Sequence, residues 1–222
     1  MWNECRFCEV LTTDNQFALN LPENTILLET ENFIVIPTLG QFIEGWLMIV
    51  SKEHKRAAST MNYIELTELN DLIKTVRQII EYAYGKTIIF EHGPAKSPYK
   101  KAGCCVEHMH IHVVPFKNKL SSVIDFIPFP HIKIFSFKAL SLLSVDESYL
   151  LLGEKSFSDE FYLFQVNKTI PNQYLRQIIA VISDKDNQWD WRQHFMRDNI
   201  ERSIHKLYPY FKAIAREKYV TC

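Results

Sequence analysis

Apolar residues recur along the chain with two different periods. Between Asn62 and Tyr84 they fall at helical spacing, at Leu66, Leu69, Leu72, Ile73, Val76, Ile79, Ile80 and Ala83, which predicts one long amphipathic helix. Asn62 is placed to cap it, Glu65 follows three residues on as in a capping box, and Gly85 stops it. Elsewhere the apolar runs have strand length. Ile26–Leu28 and Phe33–Ile36 read as short strands around a turn at Thr30–Asn32, and Thr87–Glu91 as another. Trp46–Val50 is continuously apolar and preceded by Gly45, the mark of a strand buried on both faces. From Glu107 to Pro115, Met109, Ile111 and Val113 alternate with His108, His110 and His112. Side chains two apart on a strand share a face, so this reads as a strand carrying a row of imidazoles roughly 6–7 Å apart.

The second half continues in mixed form. Residues 124–137 are rich in Phe and Pro and read as an apolar connection or a flap. Tyr149–Gly153 and Phe161–Val166 read as a hairpin around a polar turn. Pro171–Ile179 opens a helix, with Pro171 in a tolerated first-turn position. Residues 198–215 form a last amphipathic helix through Ile200, Ile204, Leu207 and Phe211. The expected fold class is therefore α+β.

Composition narrows the function. A chain of 222 residues, 47% hydrophobic and 23% charged, is an ordinary globular protein. Its net charge of −1 gives no bulk electrostatic case for nucleic acid or membrane binding. No apolar run reaches membrane-spanning length, and residues 1–5 do not read as a secretory signal. Five cysteines, two adjacent at Cys104 and Cys105, do not suggest a disulfide framework. A reducing, cytoplasmic setting is expected. The six glycines form no phosphate-cradling loop, which disfavours P-loop and Rossmann readings.

Chemistry concentrates on the histidines. Imidazole serves as nucleophile, general acid or base, or metal ligand near neutral pH. The bland alternatives are a His-rich surface strand or a purely structural metal site. Cys5-Arg6-Phe7-Cys8 is a C-x-x-C pair, insufficient alone because a tetrahedral site needs two more ligands. His54 lies just past the end of the Trp46–Val50 strand.

Taken in order, Cys5-x-x-Cys8, the buried strand ending near Lys52-x-His54, the long helix, Glu91-His92-Gly93 and His108-x-His110-x-His112 resemble the histidine triad family of nucleotide hydrolases and transferases. The resemblance covers roughly residues 1–120, expected to form the catalytic domain, an antiparallel sheet with the long helix packed on it. Residues 121–222 resemble the smaller α+β C-terminal extension of larger bacterial members. The resemblance implies that His110 is the nucleophile, attacking the α-phosphorus of a nucleotide derivative to form a nucleotidyl-histidine, with His112 as donor. It implies a substrate site including Thr38, Glu91, Gly103 and Cys105. It also implies a structural zinc held by Cys5, Cys8, His54 and His108, as in zinc-containing members and the related uridylyltransferases. A nucleotide hydrolase is the expected activity. A nucleotidyltransferase or phosphorylase, or a nucleotide- or RNA-binding module with a non-catalytic triad, is the alternative, and a homodimer is possible because small members often pair.

Several positions depart from the family pattern. Gly45-Trp46 stands where many members have Gly-His, Thr38 where many have an acidic residue, Cys105 where Ser is common, and Glu91 where Asn often stands. Trp189 and Trp191 read as packing anchors, and Arg176 as a solvated helix residue ahead of a phosphate ligand.

Overall fold

The computed structural model describes residues 5–12, 20–95, 103, 106–143, 147–154 and 160–219. The strands are β1 (Leu28–Glu29), β2 (Phe33–Pro37), β3 (Leu47–Ser51), β4 (Thr87–Gly93), β5 (His110–Pro115), β6 (His131–Ile134), β7 (Ser148–Gly153) and β8 (Phe161–Val166). They form one eight-stranded sheet in the order β1-β2-β3-β5-β4-β7-β8-β6. Every neighbouring pair is antiparallel. The α-helices among the described residues are α1 (Arg6–Thr12), α2 (Tyr63–Tyr84), α3 (Leu120–Ile124), α4 (Tyr174–Ile182) and α5 (Arg197–Tyr219). The fold is α+β, and the sheet runs unbroken across residue 120, because β7 pairs with β4.

The alternation of side chains sorts the core into two layers. On one face Leu47, Ile49, Ile89, Ile111 and Val113 pack against Leu66, Leu69, Ile73, Val76 and Ile80 of α2 and against Leu207 and Phe211 of α5. On the other, Trp46, Phe90, Val114, Leu150 and Phe164 pack against Leu175, Ile178 and Ile179 of α4. The long helix begins as its sequence dictates. The Asn62 side chain accepts from the Ile64 and Glu65 N–H groups, and the Glu65 carboxylate accepts from the Asn62 N–H at 2.8 Å. Gly85, at φ +87, ends it. Among the described residues no helix is long and apolar enough to cross a membrane.

Some boundaries differ from the sequence expectation. β4 runs two residues past Glu91, because β7 extends its ladder to a Gly93–Tyr149 pair. α4 starts at Tyr174, after Gln173 in the left-handed region at φ 59, rather than at Pro171. The Phe- and Pro-rich segment contains an edge strand, β6, paired to β8. The C-x-x-C pair opens a short helix, α1, that apolar periodicity did not reveal.

Candidate active site and metal centre

Two elements bring the cysteines to the histidine strand. Cys8 lies in the first turn of α1 and Cys5 just ahead of it, so the three-residue spacing turns both thiols to one side. His54 follows the end of β3, and His108 precedes β5. The His108 Nε2–H donates to the Ser51 carbonyl at 2.7 Å. A carbonyl only accepts, so the other ring nitrogen carries the lone pair. That Nδ1 lies 3.3 Å from Cys5 Sγ and 3.6 Å from Cys8 Sγ, while His54 Nδ1 lies 3.1 Å from Cys8 Sγ. The four ligand atoms lie within 4.8 Å of one another.

These separations suit a tetrahedral ion. Bonds of about 2.3 Å to sulfur and about 2.0 Å to nitrogen put S and N about 3.5 Å apart across a tetrahedral edge. Burial, then the neighbouring Cys5 thiol, push Cys8 up to about 11, and a divalent cation reverses that penalty by stabilising thiolate. Burial also pushes His108 down to about 4, which keeps its imidazole in the neutral, ligating form.

Two residues along the strand, the His110 Nδ1–H donates to the His108 carbonyl at 2.6 Å. Its Nε2 therefore bears a lone pair. His112 has the opposite tautomer, because its Nδ1 accepts from the Trp46 indole N–H at 3.0 Å, and an indole nitrogen only donates. Its proton is on Nε2. The two rings meet edge to face, with centroids 4.9 Å apart, closer than the backbone repeat alone implies. Phe90 stacks on His112 at 4.4 Å, and Phe7 packs against His110 at 5.5 Å. Burial lowers both histidines below their usual range, and for His112 the Arg176 guanidinium and the neighbouring His110 and His92 imidazoles further oppose a positive charge on its ring.

A pocket opens over these rings. Thr38, Gly103, His110 and His112 all line it. Glu91 is not brought there. Phe90 and His92 point to the His112 face of β4, so Glu91 between them points to the opposite face, where the Tyr149 hydroxyl and the Ala58 N–H donate to it. Cys105 lies outside the described residues.

The second half supplies residues the sequence reading undervalued. Arg176 is buried, not solvated, at 3% exposure. Its guanidinium lies 4.5 Å over the Trp46 ring and donates to the carbonyls of Trp189 and Gly40. Gly40, at φ +68, allows this approach, since a Cβ there would fall 2.4 Å from Trp191 Cβ and 2.9 Å from the guanidinium. Gln173 and Trp191 also line the pocket. The sequence expectation ends β4 at Glu91, whereas it runs on through His92 to Gly93. His92 lines the pocket, its Nε2 accepts from the Leu175 N–H at 3.2 Å, and burial pushes it down to about 3.

No sequence family and no curated protein matches the chain. Solved structures similar to it include a zinc-bound histidine triad family protein from Mycobacterium smegmatis, 20% identical, with a TM-score of 0.40 over 53% of this chain and 78% of that one. A hypothetical histidine triad nucleotide-binding protein from Sulfolobus tokodaii is 17% identical, with a TM-score of 0.39 over 93% of this chain and 98% of that one. Yeast Ap4A phosphorylase is 9% identical, with a TM-score of 0.48 over 88% of this chain and 78% of that one. With TM-scores below 0.5, these likenesses carry no weight for the chemistry, which rests on the residues themselves.

Proposed function

We propose that this protein is a histidine-triad nucleotide hydrolase acting at the α-phosphorus of a nucleotide derivative, such as a dinucleoside polyphosphate or a nucleoside phosphoramidate. The observation that carries the reading is the pair of opposed tautomers, a lone pair on His110 Nε2 beside an N–H on His112 Nε2. A neutral nucleophile approaches an anionic phosphate without charge repulsion, and a fixed donor beside it meets the charge that develops on the non-bridging oxygens.

In the first step the His110 Nε2 lone pair forms the N–P bond. The bond from phosphorus to the leaving group breaks, and its electron pair departs with that group, which leaves as the anion when it is a phosphate and takes up a proton from solvent when it is an amine. The positive charge gained by the ring is shared through the Nδ1–H bond to the His108 carbonyl, which becomes charge-assisted. In the second step a water oxygen bonds to phosphorus, the N–P pair returns to Nε2, and the water's proton leaves to solvent. His110, His112, Thr38 and Gly103 form the catalytic and binding set. Cys5, Cys8, His54 and His108 would hold a zinc ion in a structural role: four protein ligands would leave no open position, and the site joins α1 to the strand carrying the nucleophile.

The test is acid quench with labelled substrate from a panel of dinucleoside polyphosphates and phosphoramidates, followed by peptide mass spectrometry. A nucleotidyl adduct is expected on His110. His110→Ala should abolish it and lower turnover by roughly a thousandfold or more. Near-normal turnover in His110→Ala, or an adduct on another residue, overturns the reading.

A further inference from the structure

The geometry points to Trp46 as a positioning residue that locks His112 as a neutral Nε2–H donor, the form required by the reaction proposed above, on which this inference rests. Trp46 is fully buried, immediately before β3, which pairs with the histidine strand. Its indole has one polar group, a donor, and that group points at His112 Nδ1 from 3.0 Å. A proton on Nδ1 would face the indole N–H head on, so the alternative tautomer and the imidazolium each require this hydrogen bond to break. A histidine at position 46 would not impose this choice, since either of its nitrogens can accept or donate.

The other neighbours of His112 reinforce the lock. His110 on the same strand meets it edge to face, Phe90 of β4 stacks on it, and His92 of the same strand adds its ring to the site. Arg176 of α4 brings a fixed positive charge over the face of the indole, 4.5 Å from the ring. A cation there holds the indole in place through its face and opposes a second positive charge on His112. Trp46 never touches substrate in this scheme. It decides which His112 nitrogen presents a proton to the pocket.

The experiment is nitrogen-15 NMR of the histidine and tryptophan rings in the full-length, zinc-loaded protein, from about pH 8 down to about pH 5.5. The expected wild-type result is an Nε2–H His112 throughout, with a through-hydrogen-bond coupling between the Trp46 indole nitrogen and His112 Nδ1. In Trp46→Phe the coupling disappears, His112 populates both tautomers, and it begins to titrate. Turnover should fall about tenfold or more with little change in KM, as expected when a transition-state donor is misplaced. A wild-type His112 protonated on Nδ1, or a Trp46→Phe protein with unchanged tautomer and pH behaviour, overturns the inference. The wild-type spectrum decides even if the variant does not fold. An adduct on His110 together with an Nδ1–H His112 sinks this inference alone, whereas a missing adduct with the lock intact sinks the hydrolase reading.

Discussion

Replacing Glu91 by Gln removes a carboxyl held at 1% exposure on the helix-packed face of β4. The Tyr149 hydroxyl donates to it at 2.6 Å and the Ala58 N–H at 2.7 Å. Burial outweighs these two donors and raises its pKa from 4.5 to about 7. Between those values the folded protein keeps a proton that the unfolded chain has lost, so stability falls as pH rises through the window. The interval from 4.5 to about 7, at about 1.4 kcal/mol per pH unit, corresponds to about 3 kcal/mol, present below about pH 4.5 and lost by about pH 7.

The buried histidines run the other way. His92 and His108, pushed down to about 3 and about 4, make the fold more stable as pH rises toward the ordinary histidine range, because the unfolded chain binds the extra protons. The Glu91 contribution is therefore read as a difference between two proteins, in which the histidine contributions cancel. Urea unfolding of wild type and Glu91→Gln would be followed from about pH 4.5 to about pH 8. The stability of the variant relative to wild type should rise by about 3 kcal/mol across this range. Curves that stay parallel would show that Glu91 is ionised in the folded protein throughout and would refute the burial argument.

Further outcomes are expected elsewhere in the molecule. Protein purified without added metal should hold about one equivalent of zinc by elemental analysis, falling below about 0.2 in Cys8→Ala, with a matching loss of thermal stability because a structural ion's binding energy is folding energy. Asn62→Ala, which removes the side-chain acceptor of the capping box and leaves the backbone N–H to Glu65 bond in place, should cost about 1 kcal/mol in chemical denaturation, and Asn62→Ser should retain most of it. Arg176→Met should cost about 2 kcal/mol or more, since the carbonyls of Gly40 and Trp189 each lose a charged donor.

What the sequence disclosed follows from how local the cause was. The long helix was legible because its apolar stripe, its cap and its stop all lie within one stretch, Asn62 to Gly85. The histidine strand was legible because alternation is a property of adjacent residues. The ligand set Cys5, Cys8, His54 and His108 came from motif order, and the structure brings those four side chains together. Glu91 and His92 were harder. Extending a strand by two residues decides which side chains face the pocket, and that extension is fixed by pairing with β7, far along the chain. Arg176 was illegible for the same reason. On α4 it is one charge among apolar neighbours, and its acceptor at Gly40 is 136 residues away.

Those long-range contacts make the second half part of the site in a physical sense. The segment from Gly40 to Trp46 leads into β3 and ends on the residue that orients His112, yet much of what holds it comes from beyond residue 170. Arg176 donates to the Gly40 carbonyl, and the Asn199 side chain donates to the Gln41 carbonyl at 2.7 Å. The Gly45 N–H donates to the Ser203 hydroxyl at 2.7 Å, and that hydroxyl is in turn bonded to the Gln41 side chain. α4 is itself registered on the pocket face of the sheet, because the Leu175 N–H in its first turn donates to His92. His110 and the cluster of Cys5, Cys8, His54 and His108 come from the first half of the chain. The orientation of His112 beside His110 depends on Trp46, and Trp46 is held in a frame that α4 and α5 complete.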